Sequence, residues 1–220
     1  MKKLLSLTAV ALLSTAPAHA AFVTSLTGGT AITMPTANLF TAGPQTFGPL
    51  TFASDYSNSV FGWTNGYGFD PNGNWGNEAP MAGLNRGSDG GGYSSMTFTF
   101  DTPTAGVLAQ MNWALGYSNN NSVIMQIFDA NGVELESYVT LANNGNVNTL
   151  TPNGYYGFQR ATADIKTFKL SNGYIGARNF SYIAANGGVP EPASWALMLA
   201  GFGLAGTALR RRTTGVAHAA

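Results

Sequence analysis

The chain has 220 residues, no cysteine, 28 glycines and only 9% charged residues, a composition that disfavours a helical enzyme and favours many short strands joined by turns. The formal net charge is zero, yet residues 21–188 carry nine carboxylates against five bases, which argues against a basic surface for nucleic acid or anionic lipid. Both histidines, His19 and His218, lie near the chain ends, which leaves the middle without His-dependent triads, Cys nucleophiles or the usual zinc ligands.

Residues 1–20 combine Lys2 and Lys3, an apolar run over 4–13, and Ala18-His19-Ala20 as a small-x-small exit. This is the pattern of a secretory signal peptide cut between Ala20 and Ala21, with signal peptidase as the processing partner, so the chain is expected to leave the cytoplasm. Export without disulfides requires a large apolar core instead.

From residue 21 to 188 short alternating runs recur at 47–53, 96–101, 106–113, 122–129, 133–141, 165–170 and 178–183. In MTFTF, Met96, Phe98 and Phe100 share one face and Thr97 and Thr99 the other; in VELESYV, Val133, Leu135, Ser137 and Val139 alternate with Glu134, Glu136 and Tyr138. Asn131-Gly132 suits a tight hairpin with positive φ values. No helical period is present before residue 190, and the expected fold is all-β: an antiparallel β-sandwich of jelly-roll type.

The stretch 54–95 is read as an aromatic, Gly/Asn-rich insertion, carrying Tyr56, Phe61, Trp63, Tyr67, Phe69, Trp75 and Tyr93. Aromatic faces beside amides and carboxylates suit sugars, which have an apolar face and a hydroxyl rim; Trp63, Tyr67 and Trp75 are the candidate glycan contacts, with Trp63 and Trp75 expected to be the most exposed. The competing reading is that these rings close an end of the sandwich. Paired carboxylates are the remaining equipment for a glycosidase, with Asp55, Asp70, Glu78 and Asp89 as the candidates, and no catalytic residue is assigned. Asp70-Pro71-Asn72-Gly73-Asn74 and Asp129-Ala130-Asn131-Gly132 lack the spaced ligands of a calcium loop and read as Asx turns; no metal or cofactor is expected.

At the C-terminus, Val189-Pro190-Glu191-Pro192 precedes an uncharged run over 193–209 that begins near Trp195 and stops at Arg210, Arg211 and Arg212. As a helix this run would extend about 26 Å, enough for a thin bilayer, with Trp195 at one interface and the arginines on the cytoplasmic side. The two prolines hold the preceding segment extended, as a peptidase substrate must be. Residues 213–220 would then be a short cytoplasmic tail.

This ordered set of parts resembles the PEP-CTERM sorting signal of exported proteins in exopolysaccharide-producing Gram-negative bacteria. The resemblance implies recognition by an exosortase, a membrane-embedded cysteine peptidase or transpeptidase that cuts near Pro-Glu-Pro, and a membrane-anchored precursor whose body faces the periplasm before reaching the cell surface or matrix. The segment 97–182, with its FTFDTP strand, IFDANG hairpin, Tyr155-Tyr156-Gly157-Phe158 run and GYIGARNFSY strand, is similar to the sandwich half of such proteins, and to carbohydrate-binding and lectin jelly rolls. Arg178-Asn179 stands where those often carry Asp-Asn or Asp-Asp, which weakens the transfer of a calcium site and leaves a structural calcium open. Two membrane signals around a His-free, Cys-free middle, taken with the resemblance, make a non-enzymatic surface or matrix protein associated with exopolysaccharide and biofilm the expected function; a carboxylate-dependent glycan-active enzyme and a dedicated lectin are the alternatives.

Overall fold

A computed structural model of the chain describes residues 20–86, 94–114, 123–139, 150–185 and 200–204. Two antiparallel sheets face one another. The larger has eight strands in the spatial order β1 (Ala21–Val23), β14 (Tyr155–Gln159), β11 (Gly106–Ala114), β16 (Tyr174–Ile183), β9 (Met81–Leu84), β6 (Val60–Trp63) and β3 (Leu39–Phe40), with β2 (Thr30–Ala31) paired to the far half of β16. The smaller runs β13 (Glu134–Val139), β12 (Ile124–Phe128), β15 (Ile165–Ser171), β10 (Ser95–Thr104), β5 (Leu50–Ser54) and β4 (Gln45–Phe47). The expected antiparallel β-sandwich is present.

Alternation builds the core. Met96, Phe98 and Phe100 are at most 1% exposed while Thr97 and Thr99 face outward, as their spacing demands. From the smaller sheet, Phe52, Met125, Ile127, Phe168 and Leu170 meet Phe61, Val107, Met111, Phe158, Ile175 and Phe180 of the larger. Phe98 is the hub, with ring centroids 4.5 Å from Phe180 and 5.8 Å from Phe52. Each fully buried phenylalanine contributes roughly 1.5–3 kcal/mol, which is how a cysteine-free chain does without cross-links.

Three local expectations are corrected by the structure. Residues 47–53 are not one strand: Gly48, at φ 54°, and Pro49 turn the chain back between β4 and β5. In β13 the alternation breaks, because Phe128 pairs with Glu134 and Ile127 with Glu136, leaving Leu135 as an extra residue. Downstream of that bulge the faces swap, so Tyr138 packs inward with Leu135 while Val139 is exposed. Tyr138 stacks on Phe22 of β1 at 3.9 Å, closing the gap between the edges of the two sheets. Finally, at the β12–β13 hairpin only Gly132 adopts a positive φ, 79°; the Asp129 carboxylate takes over part of the turn by accepting from the backbone N–H groups of Asn131 and Val133.

The stretch 54–95 is no appendage to the sandwich. It supplies β6 and β9 to the larger sheet, and residues between them fold back across that sheet's outer face as β7 (Tyr67–Gly68), a 3-10 turn (Asp70–Asn72) and β8 (Asn74–Trp75).

Candidate functional site

The flap holds itself down with rings. Tyr67, Phe69 and Trp75, together with Val60 and Met81, form a second buried cluster, with Trp63 and Tyr174 packed at its margin. Glycines in the sheet beneath make room: a Cβ on Gly176 would lie 2.6 Å from Phe69 and 2.9 Å from Trp75. Phe69 meets Trp75 edge-on at 4.9 Å and Tyr67 at 5.2 Å. Burial pushes the Tyr67 hydroxyl far above the ordinary tyrosine range, with the neighbouring Tyr174 hydroxyl adding to the effect.

Beside this cluster lies a polar network on the same outer face. Arg178, 8% exposed, places its guanidinium 4.1 Å from the Trp75 ring, donates from Nε to Gln110 Oε1 at 3.0 Å, and pairs through Nη1 with Glu78. Such burial of a guanidinium is tolerable only because ring, amide and carboxylate all face it. Trp75 Nε1 donates to Asn153 Oδ1, which also accepts from Asn112 Nδ2 at 3.3 Å. Asn112 Nδ2 and Asn72 Nδ2 tie the flap to β11, the first donating to the Asn72 carbonyl at 3.1 Å and the second to the Trp113 carbonyl at 2.6 Å.

A groove of about 410 Å³ opens next to that network, where β9 and β2 diverge along β16. Tyr155, 41% exposed, stands on one side and Ala79-Pro80 on the other. Asn179 lines it in the left-handed conformation, φ 51°, its Nδ2 donating to Gln110 Oε1 at 2.9 Å. Sequence reasoning gave this place no role. The Asn at a bulge next to Arg was the only local hint, and the partners come from strands remote in sequence.

The candidate glycan contacts separate. Trp75 is 3% and Tyr67 6% exposed, so the expected exposure of Trp75 is overturned: its faces are used by Phe69 and Arg178. Trp63 is partly exposed, lying 4.8 Å from Phe40, which is 56% exposed. Trp63 Nε1 is buried without a partner among the described residues.

Several of the acids are engaged by neighbouring groups. Asp55 accepts from the Ser95 backbone and hydroxyl, Glu78 pairs with Arg178, and Asp164 receives Arg160 in a two-point pair at 2.5 and 2.9 Å. Asp70 lines a shallow depression of about 490 Å³ with Asn74 and Tyr174. Asp89 lies outside the described residues, as do Ala18, Val189, Pro190, Glu191, Pro192, Trp195 and Arg210 to Arg212. Ala20 packs against the core and Ala21 opens β1. Among the described residues no helix is long and apolar enough to cross a membrane; of the expected span, residues 200–204 are described and helical.

Residues 188–212 match the family model of the PEP-CTERM protein-sorting motif, beginning a few residues after the last described strand ends at Ile183. The match indicates an exported protein that is sorted by exosortase. No curated protein matches the chain.

Proposed function

We propose that this chain is a non-enzymatic surface or extracellular-matrix component, exported as a membrane-anchored precursor and released or transferred by exosortase into an exopolysaccharide setting. The observation that carries the reading is the sorting motif at 188–212 attached directly to a self-contained sandwich. In the precursor the span over 193–209 holds the tail, Arg210 to Arg212 stay in the cytoplasm, and the sandwich faces the periplasm. A passive body is supported by the absence of His and Cys from residues 21–188 and by the local engagement of Asp55, Glu78, Asp129 and Asp164.

Weak glycan contact is part of the same reading, and two aromatic surfaces support it. Trp63 with exposed Phe40 offers one aromatic platform, and Tyr155 beside the Asn179 amide offers another. Expression of the full chain in cells with and without exosortase, followed by mass measurement of the product, tests the sorting. Loss of everything beyond the Pro-Glu-Pro region only where exosortase is present is expected; an intact tail in both strains refutes it.

A further inference from the structure

The strand registers place both ends of the described sandwich at one rim. Ala21 pairs with Gln159, Gln159 with Gly106, and Gly106 with Ile183, so the first strand's start and the last strand's end lie in a single row across the larger sheet. Three strand spacings of about 4.8 Å put them roughly 14 Å apart. The same rim carries the β10–β11 turn at Thr104 to Gly106, the connection 160–164, and the Asp129 to Gly132 hairpin. The strands flanking 87–93, 115–122 and 140–149 end at the opposite rim, where Ala114 pairs with Tyr174, Ser95 with Ser171 and Ile124 with Val139.

We propose that the rim formed by Thr102, Pro103, Ala161 and Ala184–Ala185 is the face that docks against exosortase while the tail is cut; the proposal rests on the sorting reading above. Tether length decides the geometry. Ala185 is five residues before Pro190, a reach of at most about 18 Å. Strand β16 alone, ten residues, extends about 30 Å to the opposite rim. A peptidase holding the Pro-Glu-Pro segment therefore meets this rim and no other. The surface suits a protein partner rather than anionic headgroups: its segments carry Asp101, Asp129 and Asp164 against Arg160 and Lys166, and Arg160 is paired with Asp164. Where the chain leaves, a groove of about 340 Å³, lined by Pro49, Pro103 and Tyr182 together with the polar Asp101, Thr102 and Thr104, gives the partner a seat of mixed polarity.

The cysteine-free chain makes the test direct. Full-length precursors carrying Thr102→Cys, Ala161→Cys or, at the opposite rim, Asn58→Cys are labelled with a short-armed photo-cross-linker in membranes holding a catalytically disabled exosortase. Far-UV circular dichroism confirms that each variant is folded. Thr102→Cys and Ala161→Cys are expected to cross-link to exosortase at least about tenfold more than Asn58→Cys, and a rim-specific excess is expected to persist when a ten-residue flexible insertion follows Ala185, because a docked face outlasts a severalfold fall in effective concentration. Equal labelling from both rims, cross-links to lipid alone, or an excess that vanishes with the insertion, which marks mere tethering, overturns the proposal. With active exosortase, a tail that stays uncut sinks the sorting reading itself, whereas a cut tail without rim cross-links sinks only the docking face.

Discussion

Replacing Trp75 by alanine distinguishes a structural indole from a sugar platform. The ring is 3% exposed, edge-on to Phe69 at 4.9 Å, under Arg178 at 4.1 Å, and bonded through Nε1 to Asn153. An indole buries about 150–250 Å², worth roughly 4–6 kcal/mol at about 25 cal/mol per Å², and measured truncations of this size cost about 3–5 kcal/mol once partial collapse is included. The lost hydrogen bond adds little, because Asn153 Oδ1 still accepts from Asn112 Nδ2. Arg178 likewise keeps Gln110 and Glu78. A net loss of about 4 kcal/mol is expected, which for a domain of this size lowers the melting temperature by roughly 8–16 °C. Thermal and urea unfolding of the purified chain, followed by far-UV circular dichroism, measure it. A loss below about 1 kcal/mol, together with ready quenching of Trp75 fluorescence, would refute the buried role of the flap.

Trp63→Phe removes a buried N–H that has no partner among the described residues, so it is expected to be neutral or to stabilise by up to about 1 kcal/mol, in contrast to Trp75→Phe, and urea midpoints compare the two. Gly176→Ala drives a methyl group to within 2.6 Å of Phe69 and 2.9 Å of Trp75, and is expected to cost about 1–3 kcal/mol while increasing proteolysis within 64–80. The Asp129 carboxyl is held below its ordinary value by backbone N–H donors, Val133 first and then Asn131, so its contribution is present above the unfolded pKa of about 3.9 and is lost as pH falls through the folded value. Asp129→Asn keeps an acceptor oxygen but cannot titrate; the difference in unfolding midpoint between it and the parent chain should therefore be constant above about pH 5 and shift toward acid pH. A difference that does not change with pH would remove Asp129 from the acid response.

Elements with uninterrupted local periods were legible in the sequence. Strand β10 announced its buried face through Met96, Phe98 and Phe100, and β15 and β16 fell where short apolar alternations predicted strands. The failures share a physical cause, namely that the deciding partner is distant along the chain. The bulge at Leu135 is a property of pairing with β12, and nothing inside VELESYV marks it. Strands β6 and β9 read as irregular because glycines interrupt them, yet Gly83 is needed where Tyr67 and Val60 close over the sheet. Trp75 looked free because its neighbours in sequence are Gly and Asn; the groups that bury it are Phe69, Arg178 and Asn153. The pair Arg178–Glu78 spans a hundred positions, so a buried guanidinium at the edge of a groove was beyond any single-sequence signal. The sorting signal was legible because each of its parts, extended prolines, apolar run and basic stop, acts locally.

The position of that signal agrees with how the larger sheet closes. Strands β1, β14 and β11 form one half, and β9, β6 and β3 the other; within the sheet the halves are joined by β16, which also holds β2. The joining strand is the last of the described strands, ending at Ile183, only a few residues before the sorting motif at 188. Its inward residues Ile175, Ala177 and Phe180 are at most 1% exposed, so until they arrive the core facing the smaller sheet stays open along its middle. During export from the N-terminal end, the sandwich therefore completes itself only when the sorting tail is the next segment to follow. Cleavage upstream of Ile183 would remove part of the strand that binds the halves together, whereas cleavage at the Pro-Glu-Pro segment leaves every described strand intact. The spacing between last strand and motif thus meets two opposed demands: long enough to spare β16, and short enough to keep the departing rim beside the enzyme that cuts.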